Sequence, residues 1–302
     1  MSDLDALAAG GKPALARALA NIEREPDAAA TLALLDAAYA RPRARVAGIT
    51  GPPGVGKSTL IGALIAAWRR QGRSVGVLAV DPSSRRSGGA LLGDRARIAT
   101  DPADEGVFVR SLAARDRLGG LADLAMPATI LLRALFDVVV VETVGVGQSE
   151  TEIAELADTV VLCVQPGSGD SLQYMKAGIA EAPDIVAVTK GDLGPMAQRA
   201  AADVRAGLGH AAPGDWSPAI EIVAAPRGQG IDALIGEIDR HAAWLDGSRL
   251  AARRAAQARH WLELAVRERF GREGLSRAGA LDLAEGASPF GRLRAITKSL
   301  AR

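Results

Sequence analysis

Apolar positions change their spacing twice along the chain. Over residues 3–40, Ala and Leu recur at helical intervals between Arg17, Glu23, Arg24 and Asp36, which predicts two or three amphipathic helices broken near Pro13 and Pro26. From Arg45 onward, short runs rich in Val and Ile alternate with helical stretches, the pattern of a mostly parallel sheet wrapped by helices. The predicted strands are residues 46–50, 75–80, 107–110, 137–141, 159–164, 185–189 and 220–224. After Trp244 the strand signals stop. Residues 247–272 then read as one long basic helix carrying Arg249, Arg253, Arg254, Arg259, Arg267 and Arg269. Its apolar residues, Leu250, Trp261, Leu262, Leu264 and Phe270, suit either a partner-facing arm or a helix packed back on its own domain, and residues 286–289 break the chain before a short last helix. The expected organisation is a helical extension at 1–44, an α/β domain with a mostly parallel sheet at 45–246, and a helical arm at 247–302.

Composition narrows the class of partner. Lys and Arg total 36 against 35 Asp and Glu, so no overall field draws the chain to nucleic acid or an anionic membrane. No apolar run approaches the ~18 residues of a membrane span, and Met1 to Gly10 carries acids where a secretory leader carries positive charge. A cytoplasmic protein is expected, with no nucleic-acid or membrane partner. The single cysteine, Cys163, lies in the apolar run 160–164 and reads as a buried, inert thiol.

The chemistry concentrates at predicted strand ends. Gly51, Pro52, Pro53, Gly54, Val55, Gly56, Lys57, Ser58 and Thr59 form a complete G-x-x-x-x-G-K-[ST] motif between a strand and an apolar helix. Its glycines let backbone N–H groups turn toward phosphate oxygens, and the helix start adds its positive dipole end. Lys57 is placed for the outer phosphates and Ser58 for a magnesium ion. Asp81, ending the second strand run, is a second magnesium candidate, and Asp94, beyond a Gly/Ser/Arg-rich stretch, is an outer metal contact or an unremarkable surface acid. The run Val138 to Val141 ends in Glu142, with Gly145 three residues on, resembling a Walker B strand followed by a phosphate-sensing glycine; Glu142 replaces the usual aspartate. It suits a magnesium-bound water or the attacking water. Gln148, in the polar stretch 145–150, is a candidate to orient water. Thr189, Lys190 and Asp192 make a T-K-x-D strand end, in which the Asp192 carboxylate can accept from guanine N1 and the exocyclic amine while the Lys190 stem covers the base. Guanine is favoured over adenine. Threonine stands where asparagine is usual, so an amide that would brace this loop is expected to be lost. Ala224 and Ala225, after the next strand, can offer a backbone N–H to the guanine oxygen.

Taken together, G-P-P-G-V-G-K-S-T at Gly51, V-D-P-S-S at Val80, G-G-A-L-L-G-D at Gly88, V-E-T-V-G-V-G-Q-S-E at Val141 and G-D-S-L-Q-Y-M-K-A-G-I at Gly169 resemble the MeaB/ArgK type of GTPase, chaperones of cobalamin-dependent methylmalonyl-CoA mutase and related mutases. The resemblance covers most of residues 45–245. It implies a P-loop GTPase that gates cobalamin delivery to an acyl-CoA mutase and protects it, working with GTP, GDP and Mg2+ as a homodimer joined through carboxy-terminal helices. Carried onto matching positions, Lys57, Ser58, Asp81, Asp94 and Glu142 surround magnesium and phosphates. Residues 165–176, with Asp170 inside and Lys176 at the end, form a third switch that reports to the mutase. Two other readings compete. A nickel-inserting GTPase would need soft or imidazole ligands, whereas His210, His241 and His260 are scattered; an ATP-dependent kinase would place phosphate on an acceptor instead of water.

Overall fold

The computed structural model describes residues 3–82, 98, 100–114, 122–143, 153–167, 183–208, 212, 214–284 and 286–300. Its centre is a sheet of strands β1 (Arg45–Thr50), β2 (Val75–Pro82), β3 (Val107–Ala114), β4 (Val138–Thr143), β5 (Thr159–Val164), β6 (Ile185–Val188) and β7 (Ala219–Ile222). They lie in the order β3-β2-β4-β1-β5-β6-β7, and every pairing is parallel. A parallel sheet is covered on both faces, which is why β4 and β5 are buried at every residue and read as continuous apolar runs. This is the expected α/β architecture. β2 and β3 extend beyond the predicted runs, while β6 and β7 stop short at Val188 and Ile222.

One face carries α4 (Lys57–Arg70) and, further on, α7 (Ile231–Trp244), which close a core around Leu60, Ile61, Leu64, Trp68, Ile235 and Ile238. The other face carries α5 (Ala122–Leu135). Over it lie the amino-terminal helices α1 (Asp3–Ala9), α2 (Gly11–Arg24) and α3 (Ala29–Ala40). They separate at Gly10 and near Pro26; Pro13 is accommodated within the first turn of α2, where a missing N–H costs nothing. Helix α6 (Pro195–Gly207) flanks β6 and β7.

The basic carboxy-terminal helix, α8 (Ser248–Ala278), begins at Ser248 and is interrupted at Gly271, whose φ of 68° and ψ of −169° are not helical. It is therefore two helical pieces, not one uninterrupted helix. Its Trp261, Leu262, Ala265 and Val266 join Phe290, Leu293 and Ile296 of α9 (Pro289–Leu300) in the same core as α2, α3 and α5. Trp261 meets the Phe290 ring edge-on at a centroid separation of 4.9 Å. Of the two arrangements open to this helix, its apolar stripe packs back on its own chain.

The amino edge of the sheet is closed by a repeated device. Asp137, Asp158 and Asp184 each stand immediately before a strand and accept a backbone N–H at or near the start of the neighbouring strand: Ser74 at 2.8 Å, Val46 at 2.9 Å and Val160 at 2.7 Å. Each acid also holds an arginine, Arg43, Arg254 and Arg253 in turn. The last two project from α8, so the carboxy-terminal helix is fastened to the sheet at consecutive residues.

Candidate functional site: a phosphate loop and a base loop on one sheet edge

The carboxyl ends of β1, β4, β5 and β6 bring the candidate residues together. The chain leaves β1 at Thr50, turns through residues 51–56 and enters α4 at Lys57, so the loop and the amino end of a 14-residue helix face the same place. Such an end presents unpaired N–H groups and a positive dipole, the usual setting for a phosphate. Gly51 lies at φ 138°, and a Cβ there would sit 2.4 Å from the Cys163 carbonyl oxygen. Only glycine lets the loop start this close to β5.

Lys57 is buried, and its ammonium donates to the carbonyl oxygens of Gly51 at 2.6 Å and Pro52 at 3.1 Å. Curled over its own loop, it lies where a phosphate oxygen would compete for the same protons. The Ser58 hydroxyl donates to Glu142 Oε1 at 3.0 Å. Glu142 is itself buried, in register with Ile49 of β1 and Ala79 of β2. A hydroxyl and a carboxylate at this separation are hard oxygen donors of the kind magnesium prefers, so the residues present fit that ion. Behind them the hydroxyls of Thr143 and Thr50 are 3.0 Å apart and tie β4 to β1. Burial pushes the Cys163 thiol up to about 12, with Lys57 pulling it down and Glu142 pushing it up, as expected of an inert packing residue.

The loop expected to read the base leaves β6 beside this. Thr189 corrects one expectation: its hydroxyl lies 2.7 Å from the Val55 carbonyl oxygen and 3.0 Å from that of Val164, so it braces the loop against both the phosphate loop and β5. A side chain shorter than asparagine suffices because Val55 O comes close enough. Lys190, at φ 54°, is the one non-glycine residue with positive φ among the described residues, a local strain typical of functional turns. Its ammonium contacts Gln165 Oε1. Gly191 N–H donates to Val223 O at 2.9 Å, and Asp192 is exposed at the carboxyl edge. A second correction concerns Ala224: its N–H already donates to Gln229 O at 3.0 Å. Ala225, opening a 3-10 turn whose first N–H groups have no partner within the turn, is the better donor of the pair.

The Asp81 side chain lies outside the described residues, although its backbone belongs to the last residues of β2, in register with Ala113 of β3. Asp94, Gly145, Gln148, Asp170 and Lys176 also lie outside them. Among the described residues, no helix is long and apolar enough to cross a membrane.

Residues 15–277 match the family model described as methylmalonyl-CoA mutase-associated GTPase MeaB. The chain belongs to this family. As a MeaB-family member it is a P-loop GTPase. Its relatives include a protein of Caulobacter vibrioides named putative GTPase, 41% identical over 272 residues, which are 87% of this chain and 83% of that one. A mouse protein named methylmalonic aciduria type A homolog, mitochondrial, is 37% identical over 227 residues, covering 73% of this chain and 55% of its own length. A solved structure titled LAO/AO transport system kinase superposes with a TM-score of 0.70 at 27% identity, over 99% of this chain and 96% of that one.

Proposed function

We propose that this MeaB-family GTPase is a magnesium-dependent switch that serves a cobalamin-dependent acyl-CoA mutase of the methylmalonyl-CoA mutase type, gating and protecting its cofactor. The observation that carries this reading is the Ser58 hydroxyl held on the buried Glu142 carboxylate at the mouth of the phosphate loop. In this reading the loop N–H groups of residues 51–59 and the Lys57 ammonium bind the phosphate tail. Ser58, Asp81, Asp94 and Glu142 hold or surround the metal. Once bound, magnesium neutralises charge on the outer phosphates. Gly145 senses the terminal phosphate, Gln148 orients water, and Lys190, Asp192 and Ala225 read the base within a loop fixed by Thr189. Asp170 and Lys176 belong to the segment that signals to the mutase, and the protein acts as a cytoplasmic homodimer.

The names of the family and of the mouse relative support the mutase connection. The kinase title of the structural relative raises the alternative of phosphoryl transfer to an acceptor. The test is to purify the protein with its cellular mutase and follow GTP in Mg2+ and in EDTA. Metal-dependent release of inorganic phosphate, and co-purification that changes with a non-hydrolysable GTP analogue, are expected. Phosphate recovered on an acceptor, or a mutase indifferent to nucleotide, would overturn the reading.

A further inference from the structure

Residues 144–152 connect two fixed points, and the second is anchored in an unexpected way. At one end stands β4 with Glu142. At the other, the chain re-enters the described structure in a 3-10 turn, Ile153–Glu155, that leads into Asp158 and β5. Ile153 is fully buried over β1 at Gly48, where a Cβ would lie 2.7 Å from Ile153 Cγ1 and 2.8 Å from Ala157 Cβ. A single 3-10 turn leaves carbonyl groups without partners inside it. Here one buried side chain from α8 serves a carbonyl within the turn and another just beyond it: Gln257 Nε2 donates to Ala154 O at 2.8 Å and to Ala157 O at 2.8 Å. Three residues earlier on the same helix, Arg254 grips Asp158 through Nε at 2.9 Å and Nη2 at 2.6 Å. The carboxy-terminal helix thus holds the far end of the very segment that follows Glu142.

We propose that Gln257 is a positioning residue for GTP hydrolysis and the strut through which nucleotide state reaches the carboxy-terminal helix. The inference rests on the reading above, in which residues 144–150 respond to the terminal phosphate. The described end of that segment is firmly held, because both protons of the Gln257 amide are engaged and its side chain is 4% exposed, so a response to phosphate is borne at this contact. Trp261, one turn further along α8, then relays the shift into the Phe290 contact.

The test uses the full chain and Gln257→Met, which keeps length and apolar bulk and removes both donors. Amide hydrogen exchange is compared between the GDP form and the form with magnesium and a non-hydrolysable GTP analogue, alongside kcat for GTP and Kd for GDP. In the wild type, exchange at residues 153–157 and 258–266 changes with nucleotide. In Q257M the change at 258–266 disappears and kcat falls about tenfold, the scale of one or two lost hydrogen bonds, while GDP affinity stays within about twofold. A wild-type kcat in Q257M overturns the proposal, as does a parallel fall in kcat and GDP affinity. Should Q257M not fold, the wild type alone decides: nucleotide-dependent exchange at 144–157 with none at 258–266 refutes the strut. No nucleotide-dependent exchange in either segment would refute the phosphate-sensing reading beneath it, and the strut with it.

Discussion

The Thr189 hydroxyl lies 2.7 Å from the Val55 carbonyl oxygen, joining the loop placed to read the base to the loop placed to hold the phosphates. A hydroxyl has one proton, and the Val164 carbonyl at 3.0 Å competes for it. Thr189→Val keeps the shape and leaves the Val55 carbonyl short of a donor, whereas the Val164 carbonyl keeps the Thr189 backbone N–H at 2.8 Å. Its affinity for GDP should fall by roughly tenfold, the value of one such bond, and Thr189→Ser should restore it. Isothermal titration of the three proteins measures this; equal affinity across them would detach Thr189 from nucleotide binding.

Lys57 supplies a positive charge buried at the phosphate loop. Lys57→Ala removes that charge and leaves Gly51 O and Pro52 O without its protons. GTP and GDP affinity should drop by roughly a hundredfold or more, given the strength of charge-assisted contacts to phosphate. Micromolar binding retained in this variant would refute the assignment.

Guanine choice is assigned to Asp192. Asp192→Asn changes one acceptor to a donor and should narrow the preference for GTP over ATP. Competition binding with the two nucleotides reads the ratio directly, and an unchanged ratio would mean that the base is recognised elsewhere.

Cys163 is sealed behind Gly51, and burial lifts its thiol to about 12. With almost no thiolate near neutral pH, it should react with a disulfide reagent only after the protein unfolds. Rapid stoichiometric labelling of the native protein would contradict this packing.

Asp184 couples β6 to α8 and should set part of the acid limit of stability. Burial alone would raise its pKa, but His241, Arg253 and the Val160 N–H outweigh it and hold the carboxyl below its ordinary 3.8. A depressed folded value contributes stability that is complete above the unfolded value and is lost as pH falls through the folded one. Chemical denaturation between about pH 6 and 3 should therefore show a shallower acid loss in Asp184→Asn than in the wild type. Parallel curves would assign the acid limit to other groups.

The sheet and the phosphate loop were legible because their signals are local. Apolar runs of strand length, a glycine-rich turn and a following helix sit within residues 46–68, and the Ser58–Glu142 contact follows once parallel strands place their carboxyl ends together. The brace at Thr189 was not legible, since a threonine reads as a lost amide until the Val55 carbonyl is known to be 2.7 Å away. Gln257 gave no signal at all: a glutamine among arginines and alanines looks like a solvated position, and its partners are 100 or more residues distant. The interruption at Gly271 did carry a sequence mark, a lone glycine inside a helical run, which is tolerated often enough to be passed over. The placement of α8 turned on tertiary packing, because its apolar stripe is equally suited to self or partner.

Arg253 and Arg254 come from near the end of the chain, yet they complete the sheet edge opposite the nucleotide. A nascent polypeptide that had released everything up to Asp246 from the ribosome would already contain all the assigned nucleotide contacts. It would still bury Asp158, 1% exposed, without its two-point contact to Arg254, and breaking such a buried pair costs about 3–5 kcal/mol in comparable cases. Docking of the helix that carries Arg254 therefore helps to lock the first strand and the fifth in step, and a chain cut short before it should unfold at lower denaturant concentration than the full one.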